Sequence, residues 1–163
     1  MVFWMTTLAV FPGQGSQKVG MGLELSNKFK SAKKVFEEVD DALSFKLSSV
    51  MFEGDEETLK LTENAQPALM ATGVAVVRVI EELTGMTLDK IVSHAAGHSL
   101  GEYSALVCSE ALNFEDALYL LNERGKSMQA AVPLGEGKMI AILGSNISEI
   151  NSLINSLEKR DSI

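Results

Sequence analysis

Apolar residues fall along this chain in two patterns, short unbroken runs and stripes that repeat every three to four positions. Leu8-Ala9-Val10-Phe11, stopped by Pro12-Gly13, and Ile91 to Ala96, stopped by Gly97, are runs without polar alternation. Such runs predict strands buried on both faces, as in a parallel sheet. Lys138 to Leu143, after Gly137, predicts a third strand. The stripe Phe29, Ala32, Val35, Phe36, Val39, Ala42 and Leu43 predicts a helix, with Ser26 or Asn27 as its cap. Pro67 suits a first helical position, and Ala68 to Leu83 is apolar around most of its circumference, so this helix is expected to be largely buried. A further helix is expected from Leu100 to Cys108, with Glu102 in its first turn. Asn113 followed by Asp116 opens another, which runs to about Ala131 before Pro133 and Gly135 and carries a stripe through Ala117, Leu120, Leu121, Met128 and Ala131. Asn146 caps a last helix, with Ile147, Ile150, Leu153, Ile154 and Leu157 inside. The expected architecture is an α/β core around a parallel sheet.

Three places on this pattern carry chemistry. Gly97-His98-Ser99-Leu100-Gly101 lies between a predicted strand and a predicted helix, and G-x-S-x-G there is the pattern of a nucleophile elbow, a sharp turn that lifts a serine hydroxyl out of the sheet. Ser99 is the candidate nucleophile. Gly13-Gln14-Gly15-Ser16-Gln17 is a glycine-rich loop after the first strand. A phosphate loop would need Lys and Ser or Thr after its last glycine, and Ser16-Gln17 does not supply them, so the loop is read as a source of backbone donors. Arg124 falls within an apolar stripe. A guanidinium cannot discharge itself, so it needs an anion there, either a protein carboxylate or a bound one. Lys28, Lys30, Lys33 and Lys34 lie mostly off their stripe and read as a solvated face.

Composition narrows the partners. The 163 residues are 46% hydrophobic and 22% charged, ordinary for a globular domain. With 14 basic against 22 acidic residues the net charge is −8, which argues against nucleic acid and against an anionic membrane surface. The single cysteine, Cys108, reads as a small buried filler, and a reducing cytoplasm fits. Neither a signal peptide nor a membrane span is expected: the apolar start lacks a basic region and a cleavage site, and the longest other apolar run is broken at Arg78. No metal cluster or redox cofactor motif is read in the sequence.

Taken together, Gly97 to Leu106, Phe11 to Gln17, Glu63 to Leu69 and Arg124 to Gln129 resemble the amino-terminal part of the malonyl-CoA:acyl-carrier-protein transacylase family, which includes the acyltransferase domains of fatty-acid and polyketide synthases. The resemblance runs from about Leu8 to Leu143. It implies a hydrolase-like parallel-sheet core over residues 1–134 and, over 135–163, the beginning of a small ferredoxin-like subdomain. It also implies cytoplasmic transfer of malonyl from coenzyme A to acyl carrier protein through an acyl-serine at Ser99. Coenzyme A then enters only as the carrier of the substrate, with no cofactor and no metal.

The site residues follow the same resemblance. The second oxyanion donor is expected from the N–H of Gln14, beside the N–H of Leu100 that the elbow itself provides. Arg124 is expected to grip the free carboxylate of the malonyl group. Gln66 is placed near the cleft as a substrate-binding residue; read from the pattern alone, it caps a helix or bonds a loop. The chain has two histidines, and both are expected to serve the scaffold: His98 precedes the nucleophile, and neighbouring side chains at such a turn diverge, while His94 shares the strand parity of His98. Family members are considerably longer, and the base is expected beyond Ile163, so the chain is expected to act weakly or not at all by itself. A serine hydrolase or esterase, and a non-catalytic remnant of an acyltransferase, are the rival readings.

Overall fold

A computed structural model describes residues 6–131 and 142–158. The chain separates into two compact units, residues 1–132 and 133–163, each described by itself. The described elements, in chain order, are β1 (Leu8–Phe11), α1 (Leu23–Lys28), α2 (Lys30–Leu43), α3 (Leu47–Glu53), α4 (Glu56–Lys60), α5 (Thr62–Thr84), α6 (Leu88–Ile91), β2 (His94–Gly97), α7 (Gly101–Cys108), α8 (Phe114–Ala131) and α9 (Ile147–Glu158). No helix among the described residues is long and apolar enough to cross a membrane.

β1 and β2 pair in parallel, with Leu8 opposite His94 and Phe11 opposite Gly97. The second strand is therefore shorter than its apolar run, because Ile91 ends α6 rather than opening β2. Leu88 explains the difference. It is buried, its N–H donates to Glu81 Oε1 at 3.0 Å, and its carbonyl accepts from Val92 N–H at 2.9 Å, which closes a helical turn before the strand. Burial of the sheet on both faces is also corrected. Phe11 is 6% exposed, but Leu8 and Val10, which point the other way, are 52% and 68% exposed. Phe11 packs with Val77, Leu88 and Ala105 under α5 and α7, and β2 is exposed from His94 to Ala96.

The helices of the first unit form the main core around α5. Val39, Leu47, Met51, Met70, Leu118 and Leu121 are fully buried in one cluster drawn from α2, α3, α5 and α8. Burial of each such side chain contributes about 1.5–3 kcal/mol. α2 begins after Phe29, with α1 ending at Lys28, so neither Ser26 nor Asn27 caps it. The four lysines are exposed as expected, and Lys28 and Lys33 pair with Glu24 and Glu37 one helical turn away.

α5 starts five residues before Pro67 instead of at it. A proline inside a helix leaves the carbonyl four residues earlier without its N–H. That carbonyl belongs to Glu63, and Asn122 Nδ2 of α8 donates to it at 3.3 Å. At the same place a Cβ on Gly125 would run into the Glu63 and Thr62 backbone. The proline thus frees an acceptor that ties α8 to α5, and the glycine lets the two backbones touch.

α8 is capped as expected, Asn113 Oδ1 accepting from the N–H groups of Glu115 at 2.9 Å and Asp116 at 3.3 Å. Its buried face runs through Ala117, Leu118, Leu121 and Gly125, while Leu120 and Met128 are exposed, a rotation away from the expected stripe. Asn146 caps α9, accepting from Glu149 N–H at 3.0 Å. The α9 stripe is not inside: Ile147, Leu153, Ile154 and Leu157 are all exposed. Residues 138–141 of the expected third strand lie outside the described residues, as do Pro133 and Gly135, and Ile142 and Leu143 are not in a strand.

Candidate active site

Where the two strands end, the chain reverses sharply. His98 N–H donates to Phe11 O at 3.1 Å, which extends the pairing one step past β2. The next residue, Ser99, has φ 54°, in the left-handed region that a residue with a Cβ enters at a cost of order 1–3 kcal/mol. Gly101 N–H then donates to His98 O at 2.9 Å and Glu102 N–H to Ser99 O at 3.1 Å, and α7 begins. The two glycines of the motif explain how so tight a turn fits. A Cβ on Gly97 would enter the Gly101 carbonyl, and a Cβ on Gly101 would enter the carbonyls of Phe11 and Pro12. The Ser99 side chain is left at the surface between strand end and helix start.

The loop after β1 lies against this turn. A Cβ on Gly13 would enter the His98 ring at Nδ1 and stand 3.2 Å from the His98 carbonyl oxygen. The loop is held from within, Gly15 N–H donating to Gln17 Oε1 at 2.8 Å and Ser16 Oγ to Gly13 O at 3.2 Å. It is held from outside by Gln14 Nε2, which donates to Thr62 Oγ1 at the start of α5, at 3.4 Å. Among the described residues the backbone N–H groups of Gln14 and Leu100 have no acceptor, so both are free to donate.

Arg124 arrives from α8, fixed by the Asn122 and Gly125 contacts on either side of it. Its Nη2 donates to Ser99 Oγ at 3.0 Å, and its Nη1 donates to Gln66 Oε1 at 2.5 Å. Gln66 is fully buried in α5, and its Nε2 donates in turn to Met128 Sδ at 3.4 Å. Arg124 itself is half-buried. Among the described residues it forms no ion pair; both of its partners are neutral.

The structure therefore joins Ser99, Arg124 and Gln66, residues up to 58 positions apart, in one chain of hydrogen bonds. Neither histidine joins it: among the described residues His94 and His98 make no hydrogen bond to Ser99, whose Oγ accepts from Arg124 instead. Thr62, Asn122, Gly125 and Met128 support the site; Thr62 and Asn122 were not singled out by the sequence pattern, and Gly125 and Met128 were noted there without a role in the site. Pro67 was the available signal for Asn122, since it marks Glu63 as a free carbonyl.

Residues 9–155 match the family described as "Acyl transferase domain". The chain is 49% identical, over 154 residues, to the malonyl CoA-acyl carrier protein transacylase of Bacillus subtilis strain 168, covering 94% of this chain and 47% of that protein. It is similar to the crystal structure of acyl-carrier-protein-S-malonyltransferase from Bartonella henselae, with a TM-score of 0.88 and 49% identity over 96% of this chain and 49% of the other. It is also similar to a malonyl-transacylase solved in complex with its type II PKS acyl-carrier protein, with a TM-score of 0.73 and 45% identity over 79% of this chain and 40% of the other. The chain thus spans about half the length of the relatives it matches.

Proposed function

This chain belongs to the acyl transferase domain family, and from that premise we propose that it carries the nucleophile and the carboxylate clamp of a malonyl-CoA:acyl-carrier-protein transacylase. The turn at Ser99 is the family's nucleophile elbow. Ser99 Oγ attacks the thioester carbonyl of malonyl-CoA, the C–S bond breaks, and coenzyme A leaves as its thiol, with malonyl held as an ester on Ser99. The phosphopantetheine thiol of acyl carrier protein then attacks that ester, the C–O bond breaks, and the Ser99 hydroxyl is restored. The reaction draws on coenzyme A only as the carrier of the acyl group, and no step in it calls for a metal or a redox cofactor.

Each group has a role in that sequence. The N–H groups of Leu100 and Gln14 receive the oxyanion, and each such donor typically carries about a hundred- to a thousandfold in rate. Arg124 takes the free carboxylate of the malonyl group. The proton of Ser99 passes to a base that is neither His94 nor His98; the match covers 47% of the Bacillus subtilis relative, and the base is assigned to the unmatched remainder of that length.

The observation that carries this reading is Arg124. A half-buried guanidinium that forms no ion pair among the described residues, 3.0 Å from the nucleophile oxygen, is a site for an acyl group bearing its own negative charge. An esterase pocket for neutral acyl groups gains nothing from it. Intact-mass spectrometry after incubation with malonyl-CoA tests the assignment. A malonyl adduct is expected on Ser99, in this chain or, where the chain alone is inert, in the chain extended to the full length of its relatives, and none on Ser99→Ala; an adduct that persists in Ser99→Ala removes Ser99 as the attachment point.

A further inference from the structure

The hydrogen bond between Gln66 and Arg124 has a chemical asymmetry. We infer that Gln66 is a positioning residue whose lack of charge sets the acyl preference of the pocket, because it holds the guanidinium in place without neutralising it. The inference rests on the reading of Arg124 as the clamp for a carboxylate-bearing acyl group.

Gln66 is fully buried, so both ends of its amide need partners inside the protein. Arginine offers donors only, so the amide oxygen must face it, which is the observed contact of Oε1 with Nη1. The amide nitrogen then faces Met128 Sδ, a weak acceptor. Turning the amide over would set N–H against N–H at Arg124, so the orientation is locked. Gln66 is also the fifth residue of α5, past the first turn, and its amide nitrogen bonds Met128, so it caps nothing. With Nη1 tied back to α5, Nη2 is aimed at Ser99 Oγ, where the acyl group is attached.

The two obvious replacements each lose half of this. Glutamate has the same shape but forms a fixed ion pair with Arg124, so an incoming carboxylate meets a neutralised cation and a like charge beside it. Methionine has the same length but no oxygen, so the guanidinium keeps its charge and loses its anchor. Only an uncharged acceptor supplies both position and charge, and glutamine is the side chain of this length that does so.

The test is equilibrium binding, which needs no turnover and no catalytic base. Malonyl-CoA and acetyl-CoA analogues with a methylene in place of the thioester sulfur cannot acylate Ser99, and their affinities are read by titration calorimetry. The unsubstituted chain is expected to prefer the malonyl analogue by about tenfold or more, the scale of a charge-assisted contact. Gln66→Glu is expected to lose on the order of ten- to a hundredfold for the malonyl analogue with acetyl within about twofold. Gln66→Met is expected to lose less, again for malonyl alone, and its melting curve establishes that the fold survives. Undiminished malonyl preference in Gln66→Glu, or a parallel loss of both analogues in both variants, overturns the inference. Absence of malonyl preference in the unsubstituted chain overturns the functional reading, and the inference with it; that result is told apart because it precedes any change at Gln66.

Discussion

The helical body and the strand side of the first unit are made from similar apolar residues and end in opposite surroundings. Met70, Leu118 and Leu121 are sealed inside the helical cluster, whereas Leu8 and Val10 of β1 are 52% and 68% exposed. Between β1 and α5 lies an apolar groove of about 600 Å³, lined by residues that include Leu8, Val10, Phe11, Leu69, Val76 and Ile80. The candidate site draws on both regions. Gln66 and Arg124 come from the packed helices, where their positions are over-determined. Ser99, Leu100 and Gln14 come from strand ends and loops, where a turn with φ 54° leaves the Ser99 side chain and Gln14 exposed while the Leu100 side chain is buried. Stability is concentrated in one region and reactivity in the other, and Arg124 reaches across from the first to the second.

The largest expected effect tests the packed side. Leu118→Ala removes a fully buried side chain from the junction of α8 with the central cluster and should cost about 2–5 kcal/mol in urea unfolding. A cost below about 1 kcal/mol would mean that the helical body is no better packed than the strands, and the contrast would fail.

Next in size is the seam between the regions. Gly101→Ala drives a Cβ into the carbonyls of Phe11 and Pro12, which are backbone and have no rotamer to change. Such overpacking costs about 1–3 kcal/mol. The same shift moves α7 away from β1 and takes Ser99 out of line, so acylation by malonyl-CoA, read by mass spectrometry, should fall more than tenfold. Unchanged acylation would show that the turn tolerates a looser seam.

What the sequence made legible is what local geometry decides. The serine turn needs clearance at Gly97 and Gly101, and both glycines stand within two residues of Ser99, so the motif could be read in place. The Asn113 and Asn146 caps are equally local. Burial was less legible, because it depends on what another element covers: the run at Leu8 to Phe11 looks two-sided in sequence and is one-sided in the structure, and the α9 stripe is exposed. The start of α5 was misplaced because a proline signals a helix start in isolation, whereas here its missing bond is made good by Asn122, 59 residues from Glu63. For Arg124 the charge alone says only that an anion is needed, a protein carboxylate or a bound one; its assignment to the malonyl carboxylate comes from the family resemblance. Gln66 as its neutral anchor could not be read from spacing, since the contact spans 58 residues.

A third effect belongs to the residue that touches both regions. Cys108 packs against the helical cluster and also against the group around Phe11. Burial pushes its thiol up to about 12, with the Arg78 guanidinium opposing and the Glu81 carboxylate adding to the rise. The folded protein therefore keeps a proton that the unfolded chain releases near pH 9, so stability from this group is complete below that pH and falls as pH rises toward 12. At pH 10 the loss should be about 1 kcal/mol, and Cys108→Ala should abolish that part of the alkaline decline. Urea unfolding of both proteins from pH 7 to 10 gives the difference directly, free of the tyrosines and lysines that titrate in both. Parallel declines would mean that the thiol meets water and that the junction between the regions is open.

The smallest effect is expected where the strand side faces outward. Val10→Thr keeps the β-branched shape and therefore the strand preference, and exchanges one methyl for a hydroxyl at a side chain 68% exposed. With water already at the position, the hydroxyl needs no protein partner, and the stability change should stay within about 0.5 kcal/mol. The change should instead appear in association: less apolar surface on an exposed strand means less self-association, measured by sedimentation at rising protein concentration. A stability loss of about 2 kcal/mol or more would show that Val10 is buried in solution, by a second copy or by another segment, and the strand side would then belong with the packed core rather than against it.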